Sequence, residues 1–112
     1  MKAEIMASES FKRAWGQLTP QMRSIVRAKV RLLVVNPGYP SLQVHRLRRA
    51  RGNDIRVCYI SNTVRLVFEI REGILCLWDL GSHAVVDKVH KRSFSRPTCF
   101  LRLFEKSSRG QL

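Results

Sequence analysis

One change of rhythm constrains this chain more than any other feature. Up to about residue 42 the apolar side chains recur every three or four positions, and from about residue 43 they recur every second position. A period near 3.6 gives a helix one buried stripe, and a period of 2 gives a strand one buried face. The chain therefore predicts helices first and a sheet after them, an α+β domain. Phe11, Ala14, Trp15 and Leu18 mark a first helix that Ser8 or Ser10 is placed to cap. Thr19-Pro20 restarts the chain, with Thr19 as N-cap and Pro20 at the first helical position, where its missing N–H costs nothing. Met22, Ile25, Val26, Val30 and Leu33 form the inner stripe of a second helix, and Arg23, Arg27 and Arg31 occupy another face. Asn36-Pro37-Gly38 ends it. With almost no linker between them, the two helices are expected to form an antiparallel hairpin.

The second segment reads as a meander. Residues 43–49 predict a basic strand, residues 54–60 and 63–70 two alternating ones, and Ile74–Leu80 an apolar strand covered on both faces. Ser61-Asn62 and Glu72-Gly73 are the turns between them. The expected architecture is an N-terminal two-helix hairpin packed on an antiparallel sheet. Residues 2–6 are a weakly signalled first strand; Val89–Phe94 is a candidate short helix and Thr98–Phe104 a candidate late strand.

Charge narrows the function. With 21 Lys and Arg against 8 Asp and Glu, the 112 residues carry +13 at neutral pH, and the sequence pI is near 11.1. A small domain this basic most often meets a polyanion. Its length excludes two-domain enzymes such as kinases and dinucleotide-dependent dehydrogenases. The charge is uneven, because residues 61–87 carry a net −2 while the flanking blocks are strongly positive. Three cysteines, Cys58, Cys76 and Cys99, suit neither a disulfide framework nor zinc spacing. No apolar run reaches the roughly 18 residues of a membrane span, and no secretion signal is apparent, so a cytoplasmic location is expected.

Three constellations carry chemistry. His83 follows the strand ending Trp78-Asp79-Leu80, where a rigid scaffold would hold an imidazole suited to proton transfer near neutrality, although a surface turn histidine would look the same. Arg56 and Arg65 fall on adjacent strands. In the register read here they share a side of the sheet, where they either clamp a phosphate or line a solvated face. The Arg65 charge calls for a ligand or for Glu69 on the same strand face. His45, Arg46, Arg48, Arg49 and Arg51 form a basic run, with His90, Lys91 and Arg92 a weaker cluster. Such a run suits RNA or ribosome binding, or protects an edge strand by charge. No phosphate loop, metal-ligand spacing or Ser/His/Asp arrangement is present, so neither metal nor cofactor is implied.

The stretch Arg51–Lys88 resembles the C-terminal half of the RelE/ParE superfamily of bacterial type II toxins. Its pieces are Ile55-Arg56-Val57, Val64-Arg65-Leu66-Val67-Phe68, Glu72-Gly73, the apolar strand, and Gly81-Ser82-His83. The helix hairpin followed by Asn36-Pro37-Gly38-Tyr39-Pro40 fits as well. The resemblance covers about residues 2–88 of a single domain spanning 1–112 and leaves 89–112 as an extension. It implies a ribosome-dependent, metal-independent mRNA endoribonuclease in which a ribose 2′-OH attacks the adjacent phosphate. Arg65 would stabilise the phosphate, Arg56 would assist, and His83 would be acid or base. His45, Arg46, Arg48, Arg49, Arg51, Lys88 and Lys91 would hold RNA, and an acidic antitoxin would be the partner. Two departures stand out: Ala84-Val85-Val86-Asp87 lacks the tyrosine of many nuclease relatives, and no loop glutamate serves as base before the third strand, where His45 is the candidate substitute. A gyrase inhibitor of the ParE branch and an inactive basic RNA-binding domain are the alternatives.

Overall fold

The computed structural model describes residues 4–47, 54–82, 84–85 and 101–102. The chain opens with strand β1 (Glu4–Ala7), followed by helices α1 (Glu9–Gly16) and α2 (Pro20–Val35). A single 3₁₀ turn at Pro40–Leu42 leads to β2 (His45–Arg46), β3 (Arg56–Tyr59), β4 (Arg65–Arg71) and β5 (Ile74–Gly81), and β6 (Leu101–Arg102) completes the sheet.

The helix boundaries follow from local chemistry. The Ser8 side chain accepts from the Phe11 N–H and caps α1, and Thr19 does the same for α2 through the Met22 N–H. Ser8 is itself buried, and its hydroxyl also donates to the Trp78 carbonyl at 2.6 Å. That bond ties the start of α1 to β5. Arg23 donates to the Trp15 and Gly16 carbonyls at the end of α1, and the Arg23 and Arg27 guanidinium groups lie over the Trp15 ring. Arg23 and Arg27, two of the three arginines of the separate stripe, thus join the two helices.

The sheet runs in the order β2-β3-β4-β5-β1-β6. Its middle is the expected antiparallel meander, but β1 pairs with β5 in parallel, so the sheet is mixed rather than antiparallel. The helix hairpin is also not strictly N-terminal, since β1 precedes it and enters the sheet beyond β5. Four residues give too short an alternation to reveal that position. Of the predicted strand 43–49, His45–Arg46 form β2 among the described residues, and residues 48–49 lie outside them. Of Thr98–Phe104 only Leu101–Arg102 is described, pairing antiparallel with β1, and the candidate helix Val89–Phe94 lies outside the described residues.

The β4–β5 turn is tight. Glu72 and Gly73 both have positive φ, 49° and 81°, the conformation whose twist matches a two-residue hairpin. Phe11, Trp15, Val26, Val30 and Leu33 of the helices pack with Cys58, Leu66, Phe68, Leu75 and Leu77 of the sheet. Ile25, assigned above to the inner stripe, is 39% exposed, because a stripe centred on Val26, Val30 and Leu33 leaves it at the margin. The other sheet face is not simply solvated. Leu47, Ile55, Val57, Val67, Trp78 and Val85 form a second buried cluster there.

Candidate functional site

Register decides where the two strand arginines lie. Arg56 pairs with Phe68, Cys58 with Leu66, and Tyr59 with Arg65. Directly opposed residues of an antiparallel pair share a face. Arg56 therefore belongs to the helix-side face with Cys58, Leu66 and Phe68, and Arg65 to the opposite face with Val57, Val67 and Tyr59. The two also sit at opposite ends of the β3–β4 pair, three residues or about 10 Å apart along the strands. The expectation that both guanidinium groups clamp one phosphate is corrected by this register. Alternation alone gave each strand two faces but not which face of β3 matched which face of β4.

Arg65 starts β4 on the helix-free face. Its Nη1 donates to the Ser61 carbonyl at 2.6 Å and the Val64 carbonyl at 3.2 Å. Its Cζ lies 4.9 Å from the centre of the Tyr59 ring, and the Tyr59 hydroxyl donates to the Asn62 side chain at 2.7 Å. The β3–β4 turn thus helps to fix the guanidinium through backbone carbonyls and a ring face. Glu69 is not its counter-ion. That carboxylate is 3% exposed and accepts from Arg71 Nε at 2.6 Å and from Trp78 Nε1 at 2.9 Å. The hydrogen bond from Arg71 to Glu69 raises the pKa of Arg71 above its ordinary value.

Across the sheet Arg65 pairs with Gly81 at the end of β5. The strand pairing therefore brings Arg65 to the Gly81-Ser82 end, and His83 is the next residue in sequence. His83 itself lies outside the described residues, as do Arg48, Arg49, Arg51, Lys88 and Lys91. His45 is exposed on β2 and pairs with Val57, which puts it on the Arg65 face, two strands from Val67. Its Nδ1 lies 3.2 Å from the Gln43 carbonyl. Arg46 pairs with Arg56 on the helix side. Asp54 stands between those two like charges, accepting from Arg46 Nε at 2.9 Å and from Arg56 Nη2 at 3.1 Å. The Arg56 hydrogen bond is the main reason the Asp54 carboxyl is held below its ordinary range.

No group of three or more His, Cys, Asp or Glu side chains among the described residues is placed to hold a metal ion. Nor is any helix among them long and apolar enough to cross a membrane. Burial pushes the Cys58 thiol up to about 12 and raises Cys76 as well, so neither suits nucleophilic work.

No protein-family model and no curated protein sequence matches the chain. Solved structures do. A copper-bound mutant toxin from Helicobacter pylori superposes with a TM-score of 0.60 at 23% identity, over 75% of this chain and 98% of its own. A chain of the archaeal RelE–RelB complex from Pyrococcus horikoshii matches with a TM-score of 0.61 at 13% identity, over 73% of this chain and 96% of its own. This is the RelE-like toxin fold. The intact Escherichia coli RelBE toxin–antitoxin complex matches at 0.57 with 18% identity, over 72% of this chain and 96% of its own. The match spans almost the whole of each of these chains, and about a quarter of this chain lies outside it.

Sequence reasoning missed two partners within that fold: Tyr59, read only as an apolar strand residue, and Asp54 between Arg46 and Arg56. Counting outward from a two-residue Ser61-Asn62 turn sets Cys58 opposite Arg65; the loop also takes in Thr63, which shifts the register by one residue and sets Tyr59 there. Nothing in the spacing signalled the role of Asp54, which depends on the β2–β3 pairing.

Proposed function

We propose that this chain is the toxin of a type II toxin–antitoxin pair and cleaves mRNA on the ribosome. The observation that carries the reading is the fixed Arg65 guanidinium at the Gly81 end of a RelE-like sheet, on the face without helices. In this reaction the 2′-oxygen attacks the adjacent phosphorus as the P–O5′ bond breaks, leaving a 2′,3′-cyclic phosphate and a 5′-hydroxyl. One proton leaves the 2′-hydroxyl and one reaches O5′, so the step is balanced without a cofactor.

Arg65 meets the charge that builds on the phosphorane oxygens. His83 exchanges a proton with one of the two ribose oxygens. His45 shares the Arg65 face and is the candidate for the other transfer. The Arg65–Gly81 pairing supports the first two roles together. Arg48, Arg49, Arg51, Lys88 and Lys91 contribute phosphate contacts that hold RNA or ribosome. An acidic antitoxin is the physiological partner, in keeping with a charge of +13. The site of action is the cytoplasm.

The test is single-turnover cleavage on programmed ribosomes. Arg65→Ala is expected to slow cutting on the order of a hundredfold or more, as loss of a transition-state donor does. His83→Ala is expected to slow it by about 10²–10⁴. Both variants should keep the wild-type circular dichroism spectrum. Wild-type cleavage rates in both folded variants would remove these residues from the chemistry. Intact mRNA together with DNA damage on induction would assign the chain to gyrase instead.

A further inference from the structure

The helix-side end of β3 carries a groove that the nuclease site does not use. It has a volume of about 320 Å³ and is walled by Pro37, Tyr39, Pro40, Gln43 and Val44, with Arg56 on its lining. Register puts Arg56 on the face opposite Arg65, so no substrate phosphate held by Arg65 reaches this groove.

Its wall is preformed. The Tyr39 N–H donates to the Asn36 carbonyl, the Leu42 N–H to the Tyr39 carbonyl, and the Gln43 N–H to the Pro40 carbonyl. The fully buried Leu42 pins the segment to the core. Gln43 closes the turn in the left-handed region, at φ 47° and ψ 49°, a conformation non-glycine residues adopt at a cost. The open side of this wall mixes apolar and polar surface, with Tyr39, 44% exposed, and the two prolines as its apolar part.

Charge sits at the same edge. Arg46 and Arg56 flank Asp54, which uses Nε of each and Nη2 of Arg56. That leaves one net positive charge and further N–H edges on both guanidinium groups, a fork suited to a carboxylate.

We propose that this groove docks an acidic segment of a partner protein, an apolar side chain entering between Tyr39 and the two prolines while a neighbouring Asp or Glu meets Arg56 and Arg46. A nucleic-acid strand fits less well. Among the described residues this edge offers one net positive charge beside an apolar slot, which suits a single carboxylate next to an apolar side chain and not a repeating phosphate backbone. The groove's preference for an acidic peptide stands on this geometry alone; that the segment belongs to an antitoxin rests on the proposed function.

The experiment titrates the full-length ¹⁵N-labelled protein with three probes. They are a 12-residue peptide with a central Trp flanked by four glutamates, the same peptide with glutamines, and a 12-nucleotide oligouridine. The acidic peptide is expected to shift the amide resonances of Gly38, Tyr39 and Gln43. Its affinity should fall at least tenfold in the glutamine version, and likewise against Tyr39→Ala and Arg56→Gln. Tyr39 is exposed, so its variant tests the contact without disturbing the core. No shift at these residues, shifts caused by oligouridine instead, or equal affinity in both variants would overturn the proposal. Ribosomal mRNA cleavage by Tyr39→Ala should match wild type, and a loss of it would move Tyr39 into the nuclease site. If the wild type cuts no mRNA while the acidic peptide still docks, the nuclease reading fails and the groove stands.

Discussion

Glu69 offers a test of how the helix-free face is held together. Its carboxylate is nearly sealed from solvent, with one oxygen taken by the Trp78 indole and the other by Arg71. Glu69→Ala removes both acceptors. A buried donor stripped of its acceptor costs about 1–3 kcal/mol, and loss of a charge-assisted bond costs about 1.5–3 kcal/mol. The Arg71 side chain is 34% exposed and recovers part of its share from water. The net loss is then about 3 kcal/mol. A domain of this size has a total stability of roughly 6–17 kcal/mol. Glu69→Gln keeps an oxygen for the indole but replaces the oxygen facing Arg71 with an NH2 donor; the part-exposed Arg71 turns to water, so the cost is about 1 kcal/mol. At about 4 °C per kcal/mol, the melting temperature should drop by about 12 °C for Ala and about 4 °C for Gln. Thermal melts followed by far-ultraviolet circular dichroism give both numbers, and adding Trp78→Phe to each completes a mutant cycle with an expected coupling of about 1–2 kcal/mol. A Gln variant as damaged as the Ala variant, or an Ala variant within 1 kcal/mol of wild type, would refute the reasoning.

Three further outcomes follow from local geometry. Burial lifts the Cys58 thiol to about 12, so at pH 8 iodoacetamide should leave Cys58 unmodified in the folded protein and label it once urea unfolds the chain, as peptide mass spectrometry would show. Glu72→Asn relaxes a left-handed position in the β4–β5 turn and should raise the urea midpoint, by about 0.5–1 kcal/mol in stability at unchanged slope. Asp54 is held below its ordinary range by Arg56 and Arg46, so its contribution is complete above about pH 5 and is lost as the pH falls through its folded value. Because the Asp54 side chain is 44% exposed, solvent keeps that contribution to about 0–1 kcal/mol. Asp54→Asn should therefore melt slightly below wild type at pH 7, and the gap should close by about pH 2 or in high salt.

What the sequence made legible was whatever repeats locally. The caps at Ser8 and Thr19, the breaks at Asn36-Pro37-Gly38 and Glu72-Gly73, and the buried stripe Val26, Val30 and Leu33 each depend on residues within a few positions of one another. Pairing does not. β1 spans four residues, and nothing in Glu4–Ala7 states that its neighbour is β5, some seventy residues on, or that the two run parallel. The arginine pair failed for the same reason. Period-2 alternation assigns Arg56 and Arg65 each to one of two faces, and only the Tyr59–Arg65 register says that these are opposite faces. That single geometric fact divides the basic surface by role. Arg65, braced by the β3–β4 turn and facing Gly81, keeps the position that phosphate chemistry needs. Arg56, paired through Asp54 with Arg46 beside the Tyr39 loop, is placed for recognition. On the proposed reading, one sheet presents cations to different partners on its two faces, and a partner segment held in the Tyr39 groove would leave the Arg65 face to be closed by some other part of that partner.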